Sequence, residues 1–430
     1  MSIPRTNWAG SITFRAARTH RPSTVEQLRE LVAAGAQVRA LGSGHSFSTI
    51  ADTTGDLISL DGLPRTVRID PGRLGAAGQP SVTVDAAIRY GDLAARLDQA
   101  GYALHNLASL PHIAVAGACA TGTHGSGDSN GSLATAVSAI ELVTADGELV
   151  TLNRANGEFS AEFGGMVVAL GALGIVTSVT LDIVPAFTVR QWVYQDLPRR
   201  QLDANFAEIF ASAYSVSVFT DWRPPYAARV WLKQRTDAAD NAEPPPRWLD
   251  ARLAEVPLHP VPGMPASHTT QQLGVPGPWH ERLPHFRPEY TPSSGDELQS
   301  EYLVPREHAV EALAALNPLA DRIASVLRIA EIRTVAADDL WLSMAYQRDS
   351  AAFHFTWRKD TTAVLPVLAA MEERLAPFGA RPHWGKLFVL EPPALRTLYP
   401  RLPDFEDLLA RYDPAGVFRN DFIDRRVIGR

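Results

Sequence analysis

Two glycine-rich loops, each entered from apolar, strand-like sequence, constrain this chain more than any other feature in it. The first is RALGSGHSF (Arg39 to Phe47) and the second ASLPHIAVAGACATGTHGSG (Ala108 to Gly127). Glycines let the backbone turn at positive φ and bring bare N–H groups close to an anion. Two such loops, well separated in the chain, suit a long ligand with a diphosphate, such as a dinucleotide. GSGHSF contains GxG but lacks the third glycine that opens a tightly packed helix, so it is not the fingerprint of a doubly wound sheet. On spacing alone, a nucleotide cradle and an ordinary pair of turns both stay open.

The rest of the sequence narrows the classes. With 430 residues, 46% hydrophobic and 20% charged, it reads as a soluble globular protein of two or three domains. A net charge of −7 gives no basic field for nucleic acid or anionic lipid. Cys119 is the only cysteine, which excludes an internal disulfide and a CxxC redox pair; its small neighbours make it a buried filler. No run approaches the roughly 18 apolar residues of a membrane span, and MSIPRTNWAGSITF lacks the apolar stretch of a secretory signal. The expectation is a cytoplasmic protein without membrane or nucleic-acid partners. GHSFS is not GxSxG, HExxH is absent, and the histidines do not cluster at zinc spacing, so no metal is expected. Lysine occurs only at 233, 359 and 386 among 40 basic residues. A GC-rich genome accounts for that bias, yet it singles out Lys386.

Apolar periodicity predicts a helix over residues 23–34 capped by Ser23 or Thr24, a strand at 37–41, and a strand at 82–86 followed by a helix that stops at Gly101. Further strands are expected at 140–144, 148–152 and 175–183, without strict βα alternation. Composition shifts near Pro185. Residues 243–292 are crowded with proline and glycine and read as a surface-covering loop region. Helices are expected again at 307–316 and 362–375, and strands at 329–334 and 353–357.

Glu331 and Arg333 lie at i and i+2 of EIR, and His354 and Thr356 repeat that spacing in HFTW. On strands each pair shares a face, which fits either the floor of a polar pocket or a surface ion pair of little energetic weight. His45, alone in its loop, reads first as a hydrogen-bonding turn residue.

RALGSGHSF, ASLPHIAVAG and TGTHGSG together resemble the flavin-binding region of the vanillyl-alcohol oxidase family, and within it the bacterial alditol (sugar-alcohol) oxidases. The resemblance continues in order through ELVTADG, LGALGIVTSVTL, FTDWR, VPGPWHERLPHF, ELQSEYLVPREHA, EIRTVAADDLWLS, HFTW, RPHWGK and DPAGVFRNDF, and so covers nearly the whole chain. It implies an α+β fold in which residues 1–185 plus 386–430 form an FAD-binding domain of two α/β subdomains. Residues 186–385 would be an inserted substrate domain with a mixed or antiparallel sheet and helices. It further implies FAD bonded to His45 through the flavin 8α carbon and surrounded by Gly42, Ser43, Gly44, Ser46, Phe47, Ser109, Ala114, Gly117, Thr121, Gly122, His124, Ile175 and His383. Ala114 stands where relatives are expected to carry serine. Ser109, Glu331, Arg333, Thr356 and Lys386 would contact a polyol, with Arg333, Lys386 and His354 catalytic. The implied reaction is oxidation of the terminal hydroxyl of xylitol, sorbitol or a related polyol by a monomeric enzyme, with oxygen reduced to hydrogen peroxide. Ala108 falls where side-chain size controls oxygen access. An aldonolactone oxidase or dehydrogenase, and a flavin- or sugar-binding protein without turnover, are the alternatives.

Overall fold

The computed structural model describes residues 6–72, 78–155, 161–223, 228–238, 242–293 and 295–429. The chain begins with a small parallel sheet of order β1-β3-β2, formed by β1 (Arg18–His20), β2 (Val38–Leu41) and β3 (Asp56–Ser59). Helix α1 (Val25–Ala34) crosses between β1 and β2. Its N-cap is Thr24, whose hydroxyl accepts the Gln27 N–H at 3.2 Å, and it buries Leu28 and Val32 four residues apart.

A second, antiparallel sheet of order β4-β5-β9-β7-β8 follows. It contains β4 (Val67–Asp70), β5 (Ser81–Asp85), β7 (Val137–Val143), β8 (Leu149–Asn153) and β9 (Ile175–Asp182). Along β9 every second residue is buried, the alternation of a half-covered strand. Between β5 and β7 lie α2 (Tyr90–Gln99), the short strand β6 (Tyr102–Ala103) and α3 (Val115–Ala120). Gly101 ends α2 at φ +81, a left-handed turn that glycine adopts without strain. After α4 (Phe163–Val167), the short β10 (Val184–Pro185) pairs back on β6.

From residue 188 the architecture changes to one ten-stranded antiparallel sheet. Its strands begin with β11 (Thr188–Leu197), β12 (Ser215–Thr220) and β13 (Ala228–Arg235), with α5 (Arg199–Ala204) and α6 (Phe206–Ala211) inserted. The two-residue β14 (Arg247–Trp248), β15 (Ala251–Leu253) and β16 (Gly277–Pro278) are its contribution from the proline-rich region. The other half holds β17 (Glu297–Pro305), β18 (Leu327–Val335), β19 (Ser350–Arg358) and β20 (Arg381–Pro382), in the order β18-β19-β17-β20. Helices α7 (Ala309–Leu316), α8 (Ala320–Val326) and α9 (Thr361–Leu375) pack on this half, so its strands are buried on both faces. The fold is α+β.

The proline-rich region does lack interior helix and central strand, but it is more than surface cover. Trp279 is fully buried, and His285 and Phe286 are nearly so. Prolines there remove N–H donors that a ladder would need, leaving irregular backbone that conforms to the sheet beneath.

The chain's last segment, with α10 (Pro392–Leu398) and α11 (Leu402–Tyr412), returns to the first sheet. The Val38 N–H donates to the Val417 carbonyl at 2.7 Å, and the Asn420 amide donates to the Ile50 and Asp52 carbonyls. Arg39 fastens this junction: its buried guanidinium donates to the carbonyls of Ile50, Leu170, Gly171 and Phe418. Burial draws its pKa down to about 10, which still leaves it charged at neutral pH, with Asp413 opposing the shift. Arg39→Met would leave those carbonyls short of donors, each unmet group costing about 1–3 kcal/mol. Thermal unfolding should show a midpoint lowered by several degrees; an unchanged midpoint would remove Arg39 as the fastener.

Candidate active site

A single elongated cavity of about 1910 Å³, counting its solvent-open part, runs from the first glycine loop to the face of the ten-stranded sheet. Of the residues expected around the cofactor, Gly42, Ser43, Gly44, His45, Ser46, Phe47, Ser109, Gly117, Thr121, His124 and His383 line it. Ala114, Gly122 and Ile175 do not. The Ala114 N–H donates to Ser43 Oγ at 3.1 Å and so ties the two glycine loops together. Gly122, at φ +67, turns the chain out of α3, and a Cβ there would lie 3.2 Å from Met344. Ile175 packs into the core with Leu28, Val32 and Phe418, while its neighbours Gly174 and Val176 face the cavity.

The glycine-loop end is shaped for a group that protein does not fill. A Cβ added to Gly117 would meet nothing within 4 Å, and Gly44 turns at φ +70. Trp8 stacks on the His45 ring at 5.3 Å between centroids. Both His45 ring nitrogens are buried and neither makes a hydrogen bond of good geometry. Burial, aided by His112 and Arg89 and opposed weakly by the Ser43 carbonyl, lowers its pKa to about 3 and keeps the imidazole neutral. A neutral, unpartnered imidazole beside a glycine cradle fits the FAD that the resemblance implies. Cys119 is a buried residue of α3, in contact with the Tyr90 hydroxyl; burial raises its pKa to about 11, so it is an inert filler.

At the sheet end, strand register brings the polar residues together. Glu331 on β18 lies opposite His354 on β19, which lies opposite Glu301 on β17. Directly opposed residues share a face, so the polar side chains point into the cavity while Ile332, Phe353 and Phe355 face the helices. Glu331 is 4% exposed and Arg333 5%, which rules out the surface ion pair.

Glu301 stands at the centre. Its carboxylate accepts from Arg333 Nη2 at 2.5 Å and from Lys386 Nζ at 2.7 Å, with His124 Nε2 at 3.5 Å. Burial opposes its ionisation, but Lys386, Arg333 and His124 outweigh burial and hold the pKa well below the usual range. Lys386 also donates to His354 Nδ1 at 2.7 Å. That fixes the neutral His354 as the tautomer protonated on Nε2, which donates to Thr356 Oγ1 at 3.2 Å. Burial first and Lys386 second lower the His354 pKa to about 3. As placed, His354 braces Lys386; its one lone pair is already taken. Arg333 Nη1 donates to Ser109 Oγ at 3.3 Å, and His383 Nδ1 accepts the Gly385 N–H.

Glu331 is held from the other side. Its Oε1 accepts from His285 Nε2 at 2.8 Å, and His285 Nδ1 meets Lys233 Nζ at 3.0 Å. Sequence reading missed Glu301, His285 and Lys233. The alternation Glu297, Gln299, Glu301 along a strand-like segment signalled the first. Nothing local signalled His285, which sits in the proline-rich region.

These shifts set a pH dependence. Unfolded His285 and His354 take up a proton below about pH 6.5, whereas folded they stay neutral down to about 4 and about 3. The unfolded state then binds more protons, so stability falls as pH drops. The two groups together contribute about 3 kcal/mol per pH unit below pH 6. Melting curves from pH 7.5 to 4.5 should steepen in their decline below pH 6.5, and His285→Gln should flatten that decline.

Residues 16–153 match the FAD binding domain family, and residues 296–426 match the D-arabinono-1,4-lactone oxidase family. The chain is 53% identical over 426 residues to alditol oxidase from a Streptomyces species, covering 98% of this chain and 99% of that protein. It is 29% identical over 463 residues to L-gulono-1,4-lactone dehydrogenase from Mycobacterium tuberculosis, covering 100% of both. Among solved structures, cholesterol oxidase from B. sterolicum matches with a TM-score of 0.78 at 15% identity, covering 97% of this chain and 95% of that one, a likeness of fold. The flavin cradle and the buried polar floor therefore belong to an oxidoreductase, and the chain is a member of the alditol oxidase group of vanillyl-alcohol-oxidase-type, FAD-binding flavoproteins.

Proposed function

We propose that this protein oxidises the terminal hydroxyl of straight-chain sugar alcohols such as xylitol and sorbitol to the aldose, with oxygen reduced to hydrogen peroxide. The observation that carries this reading is the mixed-sign floor of the cavity, where Glu331, Arg333, Thr356 and Lys386 face one space. A polyol hydroxyl both donates and accepts, so every such group has a partner there. The 53% identity to a protein named alditol oxidase supports the same substrate class.

In this reading residues 1–185 and 386–430 hold the cofactor and residues 186–385 hold the substrate. The protein acts as a cytoplasmic monomer; among the described residues no helix is long and apolar enough to cross a membrane. FAD is tethered through His45, and when bound it supplies the two-electron acceptor for the carbinol carbon. Lys386 has N–H groups committed to Glu301 and His354 and one left for the reacting oxygen. With Arg333 it holds the negative charge that grows on that oxygen as the hydroxyl proton passes to water in the solvent-open part of the cavity. Ser109, whose Oγ accepts from Arg333, keeps its own hydroxyl proton to donate. Ala108 lines the cavity at the position where side-chain size would control oxygen access, and the oxidase reading rests on the likeness to alditol oxidase, not on that residue.

Acid-denatured protein should carry its flavin through gel filtration, with the added mass on a peptide containing His45. Recovery of all the flavin as a small molecule would remove the tether. Peroxide release should be far faster with xylitol than with butanol, because each lost charge-assisted hydrogen bond costs about 1.5–3 kcal/mol, or about ten- to a hundredfold in kcat/KM. Equal kcat/KM for the two would overturn the polyol reading. The match of residues 296–426 to a lactone oxidase family supports a second reading, an aldonolactone as substrate. Faster turnover of L-gulono-1,4-lactone than of xylitol would favour it.

A further inference from the structure

Beyond the residues that face the polyol lies a buried chain that touches none of the reacting atoms. Lys233 on β13 is 1% exposed, and burial draws its pKa well below the ordinary lysine range against the pull of Glu331, so its ammonium holds there only if every N–H is used. Here each one is: Nζ donates to the Leu283 carbonyl, to the Pro284 carbonyl at 3.0 Å and to His285 Nδ1 at 3.0 Å. An imidazole that accepts at Nδ1 carries its proton on Nε2. His285 Nε2 lies 2.8 Å from Glu331 Oε1 and therefore donates to it. Glu331 Oε2 makes no hydrogen bond among the described residues and belongs to a side chain that lines the cavity.

We propose that Lys233 and His285 are positioning residues that lock one imidazole tautomer, so that one Glu331 oxygen is spent and the other is presented, always ionised, to a hydroxyl remote from the reacting carbon. The assignment rests on the polyol reading and names the part of the site that measures hydroxyl content. The groups facing His285 support it from every side. Lys233 comes from β13, Glu331 and Arg333 from β18, and Ser217 Oγ from β12 at 3.3 Å; Phe219, Trp231 and Phe286 close the remainder. Burial first, then Lys233, brings the His285 pKa to about 4, so the ring stays neutral while Glu331 stays charged. Without Lys233, burial and Arg333 still oppose protonation there, but less strongly than with the lysine in place.

The test is anaerobic stopped-flow reduction of the holoenzyme, which separates Kd from the reduction rate, with xylitol and 1,2-pentanediol as probes. The diol keeps the reacting end and lacks the remote hydroxyls. His285→Leu should raise Kd for xylitol at least tenfold, leave that for the diol within threefold, and change the reduction rate at saturation less than threefold. His285→Gln, which can still donate to Glu331, should recover most of the xylitol affinity and guards against misfolding of the leucine variant. Lys233→Met should bring a new ionisation between pH 5 and 7 into the pH profile of 1/Kd. Equal weakening toward both probes, or unchanged selectivity and an unchanged profile in folded variants, would overturn the assignment. A wild-type protein reduced by neither probe would overturn the functional reading first, and this one with it.

Discussion

The site depends on a single buried carboxylate. Arg333 and Lys386 are both largely buried cations at the floor of the cavity, and two like charges at that depth repel strongly and resist desolvation. Glu301 makes the pair tolerable by accepting from each, at 2.5 and 2.7 Å. Glu331 beside Arg333 adds a second carboxylate next to these cations, and the His354 and His383 imidazoles stay neutral. The balance lets a strongly polar surface exist without a matching ion from solvent. It also fixes direction: Lys386 cannot swing without abandoning Glu301, so its remaining N–H is aimed before the substrate arrives, which is what preorganisation requires.

The geometry is rigid because it is shared between segments distant in sequence. Ser109 stands at the start of the second glycine-rich segment, yet its carbonyl accepts the His285 N–H at 2.8 Å and the Phe286 N–H at 3.2 Å. Its hydroxyl meets Arg333 on β18. The loop beside the flavin cradle, the proline-rich wall and the sheet floor therefore meet at one residue. A shift of any of them would reach the others through short hydrogen bonds, not through soft side-chain packing. On the cradle side the Phe47 N–H donates to the Gly385 carbonyl at 2.7 Å, next to Lys386. The two ends of the cavity are coupled at both walls.

Local pattern carried the regular elements well, because caps and alternation are local. Thr24 caps α1, Gly101 stops α2, and the 175–183 strand alternates as its residues demand. The i, i+2 spacing of Glu331 and Arg333 placed them on one face, but only the register of β18 with β19 and β17 decided that the face is buried. Glu301 was legible as a polar position on a strand and illegible as the hub, since its partners come from 32 and 85 residues away. Proline density correctly signalled irregular backbone over 243–292. It carried no information about which side chains that backbone turns inward, and so His285 was invisible. Ile175, expected at the cofactor from resemblance, turns its side chain into the core as its strand dictates, between Gly174 and Val176, which line the cavity.

The electrostatics of the floor also bear on which oxygen functions it can accept. A lactone carbonyl is an acceptor only, and it needs a donor at every lone pair it turns toward protein. A free alcohol supplies a donor with each oxygen. Glu331 Oε2 and the ionised state of Glu331 demand a donor from the ligand, since a buried carboxylate left unmet costs more than a neutral group. A hydroxyl meets that demand and a bare carbonyl facing it would be repelled. On the polyol reading the same charge would disfavour apolar chains, which would leave Glu331 desolvated with nothing in exchange. Discrimination of this kind comes from an unsatisfied protein group, not from a tight fit, and it grows with each hydroxyl the site is built to meet.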